Sequence, residues 1–154
     1  MASATRIKVA APLQLSLQMP DPRHRACLPR HRVARWLRLA LQRPAAITVR
    51  VVGEDEGRAL NAGFRQRDYA TNVLTFDYQR EPEVLADIVL CAPVVEREAL
   101  EQGVSLADHY AHLVIHAALH ALGHDHLHSR QARRMEALET QLLASLGIPD
   151  PYCR

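Results

Sequence analysis

Seven of the nine histidines in this 154-residue chain fall within twenty positions: His109, His112, His116, His120, His124, His126 and His128. Imidazole is the commonest protein ligand for zinc, so the question is which of these side chains can meet at one point. On an α-helix, residues four apart stand about 40° apart around the axis with Cβ atoms roughly 6 Å apart. His116 and His120 therefore reach one ion at a zinc to nitrogen distance of about 2.0 to 2.1 Å. Gly123 is suited to the left-handed conformation that ends a helix and turns the chain back, which brings His126 toward the same ion. Three protein ligands leave the fourth tetrahedral position to water, the pattern of a catalytic zinc site and not of a closed structural one. One zinc ion per chain is expected.

The remaining residues of the cluster have lesser expected roles. His112 lies one turn before His116 and is placed to orient a ligand by hydrogen bonding, while His124 flanks the turn, facing substrate or solvent. Asp125 either fixes the turn or hydrogen-bonds a ligand histidine. His109 and His128 are expected to be ordinary surface or hydrogen-bonded core histidines. Metzincin proteases share this spacing, but their motif has a glutamate general base directly after the first histidine. Ala117 stands there instead. Without that carboxylate a peptide bond is a poor target, whereas a phosphodiester needs charge stabilisation at phosphoryl oxygens, which a metal and an arginine supply.

These side chains require a helix ending near residue 122, and the chain provides one. The spacing predicts a helix over 105–122, opened by a capping box of Ser105 and Asp108. A helix over 129–146 follows, in which Met135, Leu138, Leu142 and Leu146 recur at helical spacing before Gly147 and Pro149 stop it. Upstream, alternation predicts strands at 13–19, 46–52, 71–78 and 84–91. Helices are expected at 29–41, opened by Pro29, at 54–63 with Leu60 inward, and at 93–102. The fold class expected is α+β: a single domain over 1–154, with an approximately four-stranded mixed sheet covered by helices and the zinc site at the end of a helix in the C-terminal half. Strand order is not readable from this pattern.

Composition agrees with a small domain that needs no disulfides, since 48% of the residues are hydrophobic and the three cysteines form no Cys-x-x-Cys pair. The N-terminal apolar run is broken by Pro12, Gln14 and Gln18, and no stretch of about 18 apolar residues occurs, so no membrane association and a cytoplasmic location are expected. Net charge is only +2, yet seven arginines, Arg23, Arg25, Arg30, Arg32, Arg35, Arg38 and Arg43, crowd one segment. That segment is either a phosphate-binding stripe or a solvated helix face.

The run from His116 to His126, His-Ala-Ala-Leu-His-Ala-Leu-Gly-His-Asp-His, resembles the signature of the YbeY family, zinc-dependent endoribonucleases of bacterial ribosome maturation and quality control. Residues 60–76, with Asn61, Arg65, Asp68 and Asn72, are similar to that family's other signature, and Ala86-Asp87-Ile88 resembles its Gly-Asp-Ile strand. Met135, Glu136 and Glu139, and the tail Asp150-Pro151-Tyr152, also resemble family features. The likeness covers 47–152, departing at Ala86, where Gly is common, and at Thr75, where Ser is usual. It implies that Arg65 is the catalytic arginine. It also implies single-strand-specific cleavage in 16S rRNA 3′-end maturation, with single-stranded RNA, ribosomal RNA and the small ribosomal subunit as partners. Either water or a ribose 2′-hydroxyl attacks the phosphorus. Two other functions are compatible with the residues: a zinc hydrolase of a non-nucleic substrate, and a ribosome-assembly factor with a structural zinc.

Overall fold

The computed structural model describes residues 11–65, 71–124 and 128–153, without the side chains of residues 64 and 65. Strand β1 (Leu13–Gln18) leads through a 3-10 turn (Arg25–Cys27) to α1 (Arg30–Leu41), β2 (Ala45–Val52) and α2 (Glu54–Arg65). The hairpin β3 (Val73–Gln79) and β4 (Val84–Cys91) follows, then α3 (Ala92–Gln102), α4 (Leu106–Ala121) and α5 (Ser129–Ser145). The strands form one sheet in the order β1-β2-β4-β3. β1 and β4 run parallel to β2, and β3 runs antiparallel to β4 with a register shift between Asp77 and Gln79. The sheet is therefore mixed, as the sequence led one to expect, and the α+β class holds.

The expected elements are all present with small shifts at their ends. Pro29 sits just before α1 and not inside it, with extended dihedrals, and Gln42 closes that helix in the left-handed region at φ 52°. α2 runs past Gly63 to Arg65, and its Leu60 packs with Val52, Leu74, Val89, Cys91 and Val94 on one side of the sheet. The larger core joins α1 and α4 to the alternate residues of the strands, Ile47, Val49, Val51, Ala86, Ile88 and Leu90. α4 is buried almost all round, through Tyr110, Ala111, Leu113, Val114, Ile115, Ala117, Ala118 and Leu119. A helix buried on every side is held by its neighbours, so the polar residues along it have fixed surroundings.

α5 corrects one expectation. Its inward line is Met135, Glu139 and Leu143, at 1%, 0% and 0% exposure, while Leu138, Leu142 and Leu146 are only partly buried beside it. A carboxylate thus lies at the centre of the contact between α5 and α4. Among the described residues no helix is long and apolar enough to cross a membrane.

Part of the arginine-rich segment serves neither expected use and is bonded within the protein. Arg23 pairs with Asp21 at 3.1 Å, Arg30 donates to the Leu15 carbonyl at 2.6 Å, and Arg32 donates to the Cys27 carbonyl at 3.0 Å. These three hold the β1 to α1 connection together. Arg35 and Arg38 lie on the exposed face of α1, whose other face buries Val33, Trp36, Leu37 and Leu41.

Candidate metal centre

α4 begins where expected: Ser105 precedes it with extended dihedrals, and its Oγ accepts from the Asp108 amide at 3.1 Å. It ends in a Schellman motif, with the His124 amide donating to Leu119 O at 3.1 Å and the Gly123 amide to His120 O at 2.9 Å. Gly123 takes φ 100°, which favours glycine, while the nearest neighbour to a Cβ there, Nη1 of Arg80 at 2.8 Å, is the movable end of a side chain.

Between these ends His109, His112, His116 and His120 line one side of α4. The rings of His116 and His120 stand 4.8 Å apart between centroids, at 74° to each other, which agrees with the one-turn geometry expected of a ligand pair. His124 is half-buried on the turn, and His128 is exposed at the start of α5. Asp125, His126 and the side chain of Arg65 lie outside the described residues; the backbone of Arg65 closes α2. Among the described residues no three His, Cys, Asp or Glu side chains are grouped to hold a metal.

Sequence reasoning marked Glu139 only as a feature resembling the family's, with no role attached, and in the structure it meets the histidine line from α5. One carboxylate oxygen accepts from Nδ1 of His116, and the other accepts from Nε2 of His112 at 3.1 Å and from the Tyr152 hydroxyl. Burial opposes the charge on Glu139, but hydrogen bonds from His112, His116 and Tyr152 outweigh it and bring the carboxyl down to about 2. Glu139 is therefore ionised and can only accept, which fixes a proton of His116 on Nδ1 and makes Nε2, at the tip of the ring, the nitrogen that would meet a metal. A carboxylate behind a histidine in this way raises its basicity and fixes its orientation, the usual support for a metal-ligating imidazole. Burial and the adjoining carboxylate both push the Tyr152 hydroxyl well above its ordinary range, so it remains a donor.

The same carboxylate gives His112 its place. Its Nε2 is engaged by Glu139, and its Nδ1 is buried with no partner among the described residues, so neither nitrogen is turned to a ligand position. It orients the carboxylate, which in turn orients His116. His109 is buried and bonded through Nε2 to Glu98 at 2.9 Å, a hydrogen-bonded core histidine. Asn72, at the head of β3, donates to the same Glu98 oxygen at 3.0 Å. A further buried histidine outside the cluster, His24, meets the Tyr110 hydroxyl at 2.7 Å and Glu96 at 2.9 Å.

The donor chemistry fits a borderline-soft divalent ion such as zinc: two imidazoles on adjacent turns, one of them backed by a buried carboxylate. Fold and site together define a small α+β domain with a histidine centre carried on a buried helix. The Endoribonuclease YbeY family model matches residues 28–147. An Endoribonuclease YbeY of Methylibium petroleiphilum is 64% identical over 140 residues, covering 91% of this chain and 94% of that protein. One from an Acidovorax species is 60% identical over 146 residues, covering 90% and 96%. Among solved structures, TM1509 of Thermotoga maritima shares the fold at a TM-score of 0.59 and 24% identity, over 92% of this chain and 99% of that one. The chain belongs to the YbeY endoribonuclease family.

Proposed function

We propose that this protein is a single-strand-specific, metal-dependent endoribonuclease acting in the cytoplasm on the 3′ end of 16S ribosomal RNA, with a further part in ribosome quality control on the small subunit. The observation that carries this reading is the Glu139-backed His116 beside His120 on a helix closed by Gly123, in a chain of the YbeY family. His116, His120 and His126 are the residues that would hold one zinc ion. When bound, zinc acidifies a water and polarises a phosphoryl oxygen at neutral pH.

The protein's own groups supply the rest. Glu139 and His112 keep the His116 ring in one tautomer and one orientation, which lowers the reorganisation needed when substrate arrives. Arg65, at the end of α2, neutralises charge that builds on the phosphoryl oxygens as the nucleophile attacks; guanidinium suits this because its planar fork matches two such oxygens. His124 and Asp125 border the substrate or steady the turn. Ala117 provides no general base, so the substrate is a phosphodiester and not a peptide.

The test is cleavage of single-stranded and duplex RNA bearing the small-subunit 3′ end by zinc-loaded protein, chelated protein and His120→Ala, all free of host nucleases. Cutting confined to the single strand and lost in both controls supports the reading. Equal cutting by all three preparations, or none by any, overturns it. Product ends then identify the nucleophile: a 3′-hydroxyl follows from attack by water, and a 2′,3′-cyclic phosphate from attack by the ribose hydroxyl.

A further inference from the structure

The C-terminal tail after α5 reaches the histidine centre through Tyr152. Ile148 is buried against the core, the Thr140 hydroxyl donates to Asp150 Oδ1 at 3.2 Å, and the same Asp150 oxygen accepts from the Tyr152 amide at 2.8 Å. These contacts set the backbone of Tyr152 so that its ring meets His112 edge-on, with centroids 5.6 Å apart, and its hydroxyl donates to Glu139. Tyr152 is 44% exposed while Glu139 is 0% exposed. Ring burial is therefore a small part of what this residue contributes. Its distinctive contribution is a neutral donor to a carboxylate that has no access to water.

We infer that Tyr152 is a positioning residue for the metal centre, acting through Glu139 on His116, so that the C-terminal tail is a working part of the site and not merely a strap across α5. This rests on the proposal above that His116 binds zinc. The physical reason is competition for lone pairs. His112 and Tyr152 share one oxygen of Glu139, and His116 has the other. Without the Tyr152 hydroxyl that oxygen keeps His112 as its one donor, and the carboxylate turns toward it to make the most of the bond that is left. Turning takes the other oxygen away from Nδ1 of His116, and the imidazole then loses the constraint that aims its outer nitrogen. Three elements, α4, α5 and the tail, are thus coupled at a single carboxylate.

Zinc affinity of metal-free protein, measured by competition with a chromogenic chelator under conditions where every variant is folded, tests this. Tyr152→Phe keeps the ring and removes only the hydroxyl. Its affinity is expected to fall about three- to tenfold, less than the roughly 10- to 100-fold seen when a direct partner of a ligand histidine is lost. Tyr152→Leu, which removes ring and hydroxyl together, is expected to lose about as much affinity as the Phe variant and no more. A strap would lower the melting temperature of both variants and leave their affinity at the wild-type value, which overturns the inference. Wild-type protein that binds no zinc overturns the metal reading and this role together. Tight wild-type binding with undiminished affinity in the Phe variant overturns this role alone.

Discussion

Two histidine–carboxylate pairs stand about two turns apart on α4, His109 with Glu98 and His116 with Glu139, and they are chemically alike but differently used. His109 commits Nε2, at the tip of its ring, to Glu98, and its Nδ1 is buried without a partner among the described residues. Its side chain is 2% exposed, so the pair is closed: it joins α3 to α4 and, through Asn72, to the head of β3. His116 commits Nδ1, close to its own backbone, to a fully buried carboxylate, and its side chain is 25% exposed. The nitrogen at the tip of this partly exposed ring is therefore not the one the carboxylate takes. Which nitrogen the carboxylate takes thus separates a structural pin from the ligand support proposed for His116.

The strongest test of this contrast removes each imidazole in turn. His116→Ala is expected to abolish measurable zinc binding by the folded protein, a loss beyond the roughly 10- to 100-fold of an outer partner. His109→Ala is expected to keep its zinc affinity but to lose about 2 to 4 kcal/mol of unfolding free energy in urea, because it leaves a partly buried carboxylate with one donor fewer and opens a cavity. A His109→Ala protein that remains folded and binds no zinc would dissolve the distinction. The carboxylates sharpen it further. Glu139→Gln should weaken zinc binding about 10- to 100-fold by chelator competition, since a neutral amide supports the imidazole less well, while Glu98→Gln should leave zinc affinity unchanged.

The histidine-bearing helix was legible in the sequence and the carboxylate behind it was not, and the reason lies in how each is encoded. His116, His120 and Gly123 are local: their spacing and the glycine's φ 100° belong to one helix and its end, so the pattern alone describes them. The four strands were legible for the same reason, as alternation within short runs. Strand order β1-β2-β4-β3 was not, because it depends on pairings far apart in sequence. Glu139 is the instructive miss. Reading α5 for apolar periodicity selected Leu138, Leu142 and Leu146 and passed over the more deeply buried position because it is charged. Charge argues for exposure only when no donors are available inside, and the donors here come from α4 and the C-terminal tail. Helical phase offered one signal: Glu139 stands four residues after Met135 and four before Leu143, on the line that both bury. The arginine segment failed to resolve for the complementary reason, since Arg30 and Arg32 are bound to backbone carbonyls that no charge pattern announces.

The smallest expected effect concerns acid, and it isolates the structural pair. Burial works against ionisation of Glu98, but hydrogen bonds from His109 and Asn72 prevail and hold its carboxyl below the ordinary value of 4.5. A carboxyl depressed in the folded state binds its proton less readily there than in the unfolded chain. Its contribution to stability is therefore complete above pH 4.5 and is lost as pH falls from that value through the lower folded one. Many carboxylates titrate in this range, so the wild-type curve alone does not identify the source. The difference between wild type and Glu98→Gln does. At neutral pH the variant should be less stable by about 1 kcal/mol, the scale of a hydrogen-bonded charge that is not fully buried. As pH falls from 4.5 through the lower folded value the gap should close, because Glu98, once protonated, and glutamine are both neutral. A gap that stays constant into acid would mean that packing, and not charge, is what Glu98 contributes between α3, α4 and β3. The contrast between the two pairs would then rest on the geometry of His116 alone.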